Sequence, residues 1–336
     1  MTETAEASPP LPVLVTGGAG YIGSHTCKLL ARAGYVPVTY DNLSTGWAGA
    51  VKFGPLVQGD LLDRAALAAT FAEYKPVAVL HFAALSQVGE ATRDPGRYWR
   101  NNMTGTLNLI EAMLDVGCRD MVFSSTCATY GDQDGVILTE TSAQHPLNAY
   151  GSSKRAIEEM LADFGVSHGL NSVIFRYFNV AGADPEAEIG EWHQPETHLI
   201  PAMIEAAAGA REALTIHGQD YQTPDGTCIR DYVHVIDLVA AHILGLDWLR
   251  AGRGSRVFNL GTGTGFSVAE VLARFPEATG QNVPYVFGPR REGDAAILVS
   301  GSRRAEEELG WRANHSTLDQ MIADAWRWYQ TGGYSG

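Results

Sequence analysis

Residues 11–16 (LPVLVT) form a short apolar run that ends in glycines, and a stretch of helical periodicity from Tyr21 to Ala33 follows before a second strand-like run, Val36 to Tyr40. This order predicts a strand–helix–strand beginning. Further apolar runs at 55–58, 77–82, 121–124 and 173–178 alternate with helical segments Ala65 to Tyr74, Thr104 to Val116 and Ser152 to Phe164. Such alternation implies an α/β fold built on a parallel, doubly wound sheet. After Asn179 the texture changes, because residues 181–197 are rich in Gly, Pro and acidic side chains and carry no apolar period. That segment reads as a loop leaving the sheet. A helical stretch (Ile200 to Ala210), a strand (Leu214 to His217) and an irregular polar loop reaching Arg230 come next. Two later sheet-like runs, Asp231 to Val235 and Arg256 to Leu260, are expected to return to the first lobe. The expected division is therefore 11–180, with returns near 231–262, for the first lobe. A smaller, discontinuous α/β lobe takes 181–230 and 263–336, and residues 1–10 are expected to be disordered.

Composition narrows the function without defining it. The 336 residues are 45% hydrophobic and 18% charged, which suits a globular enzyme subunit. A net charge of -14 and a pI near 5.1 argue against a general nucleic-acid or anionic-membrane surface. No secretory signal precedes Pro10, and charged residues interrupt every apolar run short of a membrane span, so a cytoplasmic protein is expected. Cys27, Cys118, Cys127 and Cys228 show no paired metal-ligand spacing, and no metal is expected. They read as reduced, buried thiols.

Chemistry first appears at Gly17, Gly20 and Gly23, spaced G-x-x-G-x-x-G between a strand and a helix. The first permits a tight turn, the second lets backbone approach a pyrophosphate, and the third lets helix pack on strand. A bare glycine pattern is weak evidence, but its position after a strand points to a Rossmann-type dinucleotide site. Asp41 ends the second strand, eighteen residues beyond Gly23, where a carboxylate suits the adenosine ribose hydroxyls and repels a 2′-phosphate. NAD is thereby favoured over NADP.

Tyr150 and Lys154 have Y-x-x-x-K spacing, which on a helix sets both side chains on one face. A free phenol near pKa 10 is a poor base at neutral pH, so a neighbouring ammonium and the positively charged nicotinamide are together expected to lower it. Upstream, Ser124, Ser125 and Thr126 place three hydroxyls at a strand end, facing the expected cofactor cleft, although at least one reads as a capping group.

These features recur with GGAGYIGSHT (17–26), DNLSTG (41–46), GD (59–60), HFAA (81–84), NN (101–102), FSST (123–126), YG (130–131), YGSSK (150–154), RYFNVAGA (176–183), GQDYQTPDGTCIRDYVHV (218–235), FNLGTG (258–263) and PRREGD (289–294). Together they resemble the UDP-glucose 4-epimerases of the extended short-chain dehydrogenase/reductase family, over nearly the whole chain after residue 10. The resemblance implies Tyr150 as catalytic base, Lys154 as its activator and nicotinamide-ribose ligand, and Thr126 as the hydroxyl contacting the sugar O4. It implies a cofactor site of Gly17, Gly20, Tyr21, Ile22, Gly23, Asp41, Asn42, Asp60, Leu61, Phe82, Ala83, Ala84, Asn101, Ser124 and Tyr177. For the UDP-sugar it implies Asn179, Arg230 and Arg291 at the diphosphate and Asp294 at the uridine ribose. His198, Leu199, Thr215 and His217 would line the nucleotide pocket, and Leu298 the sugar gate. It also implies a homodimer joined through first-lobe helices.

The chain departs from that pattern at Ser86, where some members have lysine, and at His198 and His217 on the base-recognition side. Leu298 stands where some have tyrosine. The expected activity is NAD-dependent 4-epimerisation of UDP-glucose and UDP-galactose through a transient 4-keto sugar. Alternatives are 4-epimerases of UDP-pentoses, UDP-N-acetylhexosamines or uronic acids. A 4,6-dehydratase or a non-catalytic NAD sensor also keeps the fold. Against the dehydratase, Thr126 is followed by Cys127 and Ala128 where an Asp-Glu pair is needed.

Overall fold

In the computed structural model, which describes residues 10–133, 135–291 and 295–334, the alternating apolar runs become strands whose side chains divide between two cores. Strand β1 (Pro12–Thr16) leads through the glycine turn to helix α1 (Tyr21–Arg32) and β2 (Val36–Asp41). Then come β3 (Leu56–Gln58), α2 (Arg64–Tyr74) and β4 (Ala78–His81). Short helices α3 (Val88–Arg93) and α4 (Pro95–Tyr98) and a π-helical turn, Trp99–Thr104, run into α5 (Gly105–Asp115). The first lobe continues with β5 (Asp120–Ser124), α6 (Ala149–His168) and β6 (Asn171–Tyr177).

Strand periodicity of two explains the layering. Val13 and Val15 of β1, Leu80 of β4, Val122 of β5 and Val173 and Phe175 of β6 face one core. Leu14, Val79, Met121, Phe123 and Ile174 face the other. Both faces are covered, so the strands read as continuous apolar runs in the sequence.

Beyond β6 the chain forms β7 (Asn179–Ala181), α7 (Leu199–Ala207), β8 (Leu214–His217), β9 (Ile229–His234), α8 (Val235–Arg250), β10 (Arg256–Leu260), β11 (Gly265–Ser267), α9 (Val268–Thr279), β12 (Tyr285–Gly288), β13 (Ile297–Leu298) and α10 (Leu318–Gln330). The large sheet is all parallel, in the order β10-β6-β5-β4-β1-β2-β3. Strand β9 pairs with β7, β11 and β13 in a second sheet, while β8 and β12 form a third. The expectation for Asp231 to Val235 is thus corrected. β7 follows directly after β6 and pairs with β9, holding it in the smaller sheet, while α8 packs back against β5, β6 and α1 and β10 joins the large sheet beside β6. A separate core of α7, α9, α10 and β8 side chains, including Met203, Ile216, Phe275 and Met321, supports the second lobe.

Candidate active site

All strands of the large sheet point the same way, so Thr16, Asp41, His81, Ser124 and Tyr177 end at one edge. That edge is where doubly wound sheets bind ligands. The turn after β1 is closed by hydrogen bonds from Gly17 N to Tyr40 O (2.9 Å) and from Gly20 N to Gly17 O (3.1 Å). Gly17 has φ +73, and a Cβ there would lie 2.7 Å from Ala83 N; at Gly23 it would lie 2.1 Å from Gly17 O. No side chain at these positions fits without moving backbone. Gly20 is the N-cap of α1 and supplies no side-chain cap, so the helix start, with Tyr21 and Ile22, turns its amides toward the cleft.

Asp41 is 8% exposed, and its two oxygens each accept one backbone N–H, from Ala19 (3.0 Å) and Leu43 (2.8 Å). Each oxygen retains further acceptor capacity. Asn42 donates to Asp60 Oδ2 (2.9 Å), and Asp60 Oδ1 accepts from Leu62 N (2.8 Å). Leu61 is buried, with its carbonyl accepting from Asn108 (3.0 Å). The amides of Phe82 and Ala83 donate to Thr16 O, and Ala84 follows them half-buried. Asn101 donates to Asn102 Oδ1 (3.0 Å), and Asn102 in turn ties Leu85 to Ser153 on α6.

Helix α6 starts where Asn148 accepts from Gly151 N, which places Tyr150 in its first turn and Lys154 one turn later. The Thr126 side chain lies beside the Tyr150 phenol and acts to lower its pKa. Lys154 Nζ donates to Ser124 O at 2.7 Å and lies 4.7 Å from the Phe123 ring centroid. The Ser124 hydroxyl bonds the Tyr177 hydroxyl. Ser125 instead donates to Glu158, which is ion-paired with Arg176, so it belongs to the scaffold.

Burial pushes the Tyr150 phenol up to about 12, opposed by the Thr126 side chain, and pushes Lys154 down to about 7, opposed by the Glu158 charge. Desolvation weakens the ammonium as it weakens the phenolate, and the hydrogen bond that Lys154 makes is to a carbonyl.

The second lobe brings three other expected residues together. Asn179 is opposite Tyr232, while Arg230, two residues before Tyr232 on β9, is opposite Leu298. Side chains of paired and of i, i+2 positions share a face, so Asn179, Arg230 and Leu298 lie on one side of this sheet. Arg230 is 8% exposed. Asp231 on the opposite face accepts from Thr262, Gly263 and Ser300, holding the flanking loops. Thr215 and His217 share the outer face of β8, opposite the buried Leu214 and Ile216, with His217 Nδ1 3.2 Å from Pro289 O. His198 is the N-cap of α7 and Leu199 its first residue; the His198 ring bonds Glu191. Arg291 is exposed, and Asp294 lies outside the described residues. The Glu158–Arg176 pair, to which Tyr130 and Asn259 connect, and Asp231 support the site without a local signal in the sequence. No periodicity marks such long-range polar partners.

The four cysteines are buried and form no disulfide among the described residues. Among the described residues no helix is long and apolar enough to cross a membrane.

The sequence profile of the "NAD dependent epimerase/dehydratase family" matches residues 13–261. A UDP-glucose 4-epimerase of Rhizobium leguminosarum bv. trifolii is 50% identical over 317 residues, covering 94% of this chain and 97% of its own length. The crystal structure of UDP-glucose 4-epimerase from Brucella ovis in complex with NAD superposes with TM-score 0.92 at 49% identity, covering 94% of this chain and 98% of that one. A UDP-glucose-4-epimerase from Stenotrophomonas maltophila with bound NAD and formylated UDP-arabinopyranose gives TM-score 0.92 at 41% identity, covering 96% and 98%.

Proposed function

The chain belongs to the NAD dependent epimerase/dehydratase family, and from that premise we propose that it is a UDP-glucose 4-epimerase, interconverting UDP-glucose and UDP-galactose. The observation that carries this reading is Tyr150 in the first turn of α6 with Lys154 one turn along, beside Thr126, at the edge where the glycine loop presents an uncapped helix start. The residues fit NAD: a cradle that a Cβ would fill at Gly17 and Gly23, and an Asp41 carboxylate with acceptor capacity for ribose hydroxyls. NAD, when bound, accepts and returns the C4 hydride, which makes the reaction redox-neutral.

In this reading Tyr150 takes the proton of the sugar 4-hydroxyl and returns it after the transient 4-keto sugar has turned its other face. Thr126 orients O4 and donates to the Tyr150 oxygen while that oxygen is anionic, before it takes the proton and after it returns it. Lys154 holds the nicotinamide ribose. Its charge and that of the oxidised ring together oppose the burial that raises the phenol. The cofactor's adenosine end falls to Asp41, Asn42, Asp60 and Leu61. Tyr21, Ile22, Phe82, Ala83, Ala84, Asn101, Ser124 and Tyr177 line the remainder. Asn179, Arg230, Arg291 and Asp294 would clamp the nucleotide diphosphate and ribose. His198, Leu199, Thr215 and His217 would border the base, and Leu298 the sugar. Two arginines in an acidic protein suit a diphosphate because a guanidinium offers a fixed donor fork.

A 4,6-dehydratase is disfavoured because Cys127, the residue after Thr126, is fully buried and burial raises its thiol pKa, leaving no acid there. A homodimer completes the reading. Val88, Trp99 and Val166 are exposed apolar side chains on first-lobe helical segments, and light scattering should read twice the chain mass. The decisive test incubates purified protein with UDP-glucose, UDP-galactose, UDP-N-acetylglucosamine and UDP-pentoses, with and without added NAD. UDP-hexose interconversion without added cofactor is expected. No interconversion of any of them with NAD supplied overturns the reading.

A further inference from the structure

The loop between β7 and α7 folds four potential metal ligands onto one point within eight residues: Glu191, His193, Glu196 and His198, spaced E-x-H-x-x-E-x-H. One donor atom from each lies within 4.8 Å of all the others. His193 Nδ1 is 3.2 Å from Glu191 Oε1 and 3.7 Å from Glu196 Oε2. His198 Nδ1 is 3.8 Å from Glu196 Oε1 and hydrogen-bonded to Glu191 Oε1. Tetrahedral zinc with bonds of about 2.0–2.2 Å spaces its ligand atoms roughly 3.3–3.6 Å apart, so this cage needs only small adjustments to close on an ion.

Charge supports the same conclusion. The Glu191 and Glu196 side chains are 5% and 3% exposed, and among the described residues their ion pairs are only with these two imidazoles. Two carboxylates buried side by side need a cation to offset their repulsion and desolvation. The neighbouring trio Asp184, Glu186 and Glu188 shows the other solution, since Lys28 Nζ sits 2.6–2.7 Å from all three. Among the described residues no such ammonium is ion-paired with Glu191 or Glu196.

The cage is also pre-formed. Glu196 Oε1 accepts the amides of Thr197 (2.7 Å) and His198 (2.8 Å), fixing the carboxylate. Trp328 Nε1 donates to Glu191 O (3.0 Å), Trp47 Nε1 to Trp192 O (2.7 Å) and Arg211 Nη2 to Glu196 O (2.8 Å), anchoring the loop backbone from three sides. Outer hydrogen bonds of this kind orient metal ligands.

We propose that Glu191, His193, Glu196 and His198 form a structural site for a divalent transition-metal ion of the zinc type. Four protein ligands leave no open position, so the ion braces the loop against the first turn of α7 and takes no part in sugar chemistry. The inference does not rest on the epimerase reading, and its readout is metal content.

The test uses the full chain with its NAD, stripped by chelator and reconstituted with zinc sulfate alone, then with cobalt. Wild-type protein should retain one zinc per chain after dialysis, gain thermal stability, and give the visible ligand-field bands of tetrahedral cobalt. His193→Ala should keep wild-type circular dichroism and NAD content. It should bind zinc more weakly by more than the roughly 10–100-fold that losing an outer partner costs, and lose the thermal gain. If that variant misfolds, Glu196→Gln, which preserves shape, decides on the same measurements. Retention of no more zinc by wild type than by the folded variant overturns the proposal, as does equal stoichiometric binding by both.

Discussion

Tyr150 and Lys154 meet the same desolvation with opposite results, the phenol rising to about 12 and the ammonium falling to about 7. Phenol and ammonium are each held nearer neutrality than in water, so a further positive charge in the cleft would favour the phenolate. Tyr150→Phe preserves the ring and removes the proton acceptor. It should lower kcat by about 10²–10⁴-fold, the usual contribution of a general base, with bound NAD unchanged. Turnover of the variant within a few-fold of wild type would assign the base to another residue. At Leu298 the register opposite Arg230 places a branched apolar side chain beside the residue read as a diphosphate ligand. Leu298→Tyr should reduce kcat/KM for UDP-N-acetylglucosamine more than for UDP-glucose. A few missing or added carbon groups discriminate by only about 1–3 kcal/mol, so a graded shift of the ratio is expected. Equal losses on both substrates would remove Leu298 from the gate. Spacing made the Tyr150–Lys154 pairing legible. The destination of each hydroxyl in the Ser124-Ser125-Thr126 run was not, because Tyr177, Glu158 and Tyr150 arrive there from other elements.

Helix α1 depends on how closely its first turn meets β1. A Cβ on Gly23 would lie 2.1 Å from Gly17 O, an immovable backbone atom, so Gly23→Ala must push the helix start away from the strand. Overpacking of this kind costs typically about 1–3 kcal/mol, and here it displaces the amides that face the cleft. The variant should unfold at lower temperature and copurify with less NAD, read by absorbance after denaturation. Full NAD content would separate the helix start from cofactor binding. The β1–α1–β2 unit was readable because its apolar period, turn glycines and strand-end Asp41 are local. Strand β9 was not, since its run Ile229–His234 is equally apolar whether it joins the large sheet or pairs with β7.

Across the whole molecule, three histidines are buried in their neutral form. His25 and His242 are lowered to about 4 and His81 to about 3, each chiefly by burial. Their Nδ1 atoms bond Tyr21 O (2.7 Å), Leu238 O (2.9 Å) and Thr16 Oγ1 (2.6 Å), while Nε2 of His25 and of His242 has no partner to receive a new proton. The unfolded chain binds these protons near pH 6.5 and the folded chain only near 3–4. Their stabilisation is therefore complete above pH 6.5 and lost as pH falls through that window, on the order of 3 kcal/mol for each. The thermal midpoint should drop steeply between about pH 6.5 and 4, with proton uptake on unfolding. A flat profile over that range would contradict neutral burial.

The sequence by itself determined the α/β class, the glycine loop, Asp41 and the Tyr150–Lys154 helix, because each is set by periodicity or spacing within about one strand–turn–helix unit. Tertiary structure alone decided which sheet takes β9, that Ser125 serves Glu158 and Arg176, and that Asn179, Arg230 and Leu298 share a face. It also decided that the His198 ring turns to Glu191. These outcomes depend on pairing between segments tens of residues apart, where backbone register and burial choose among partners that look alike along the chain.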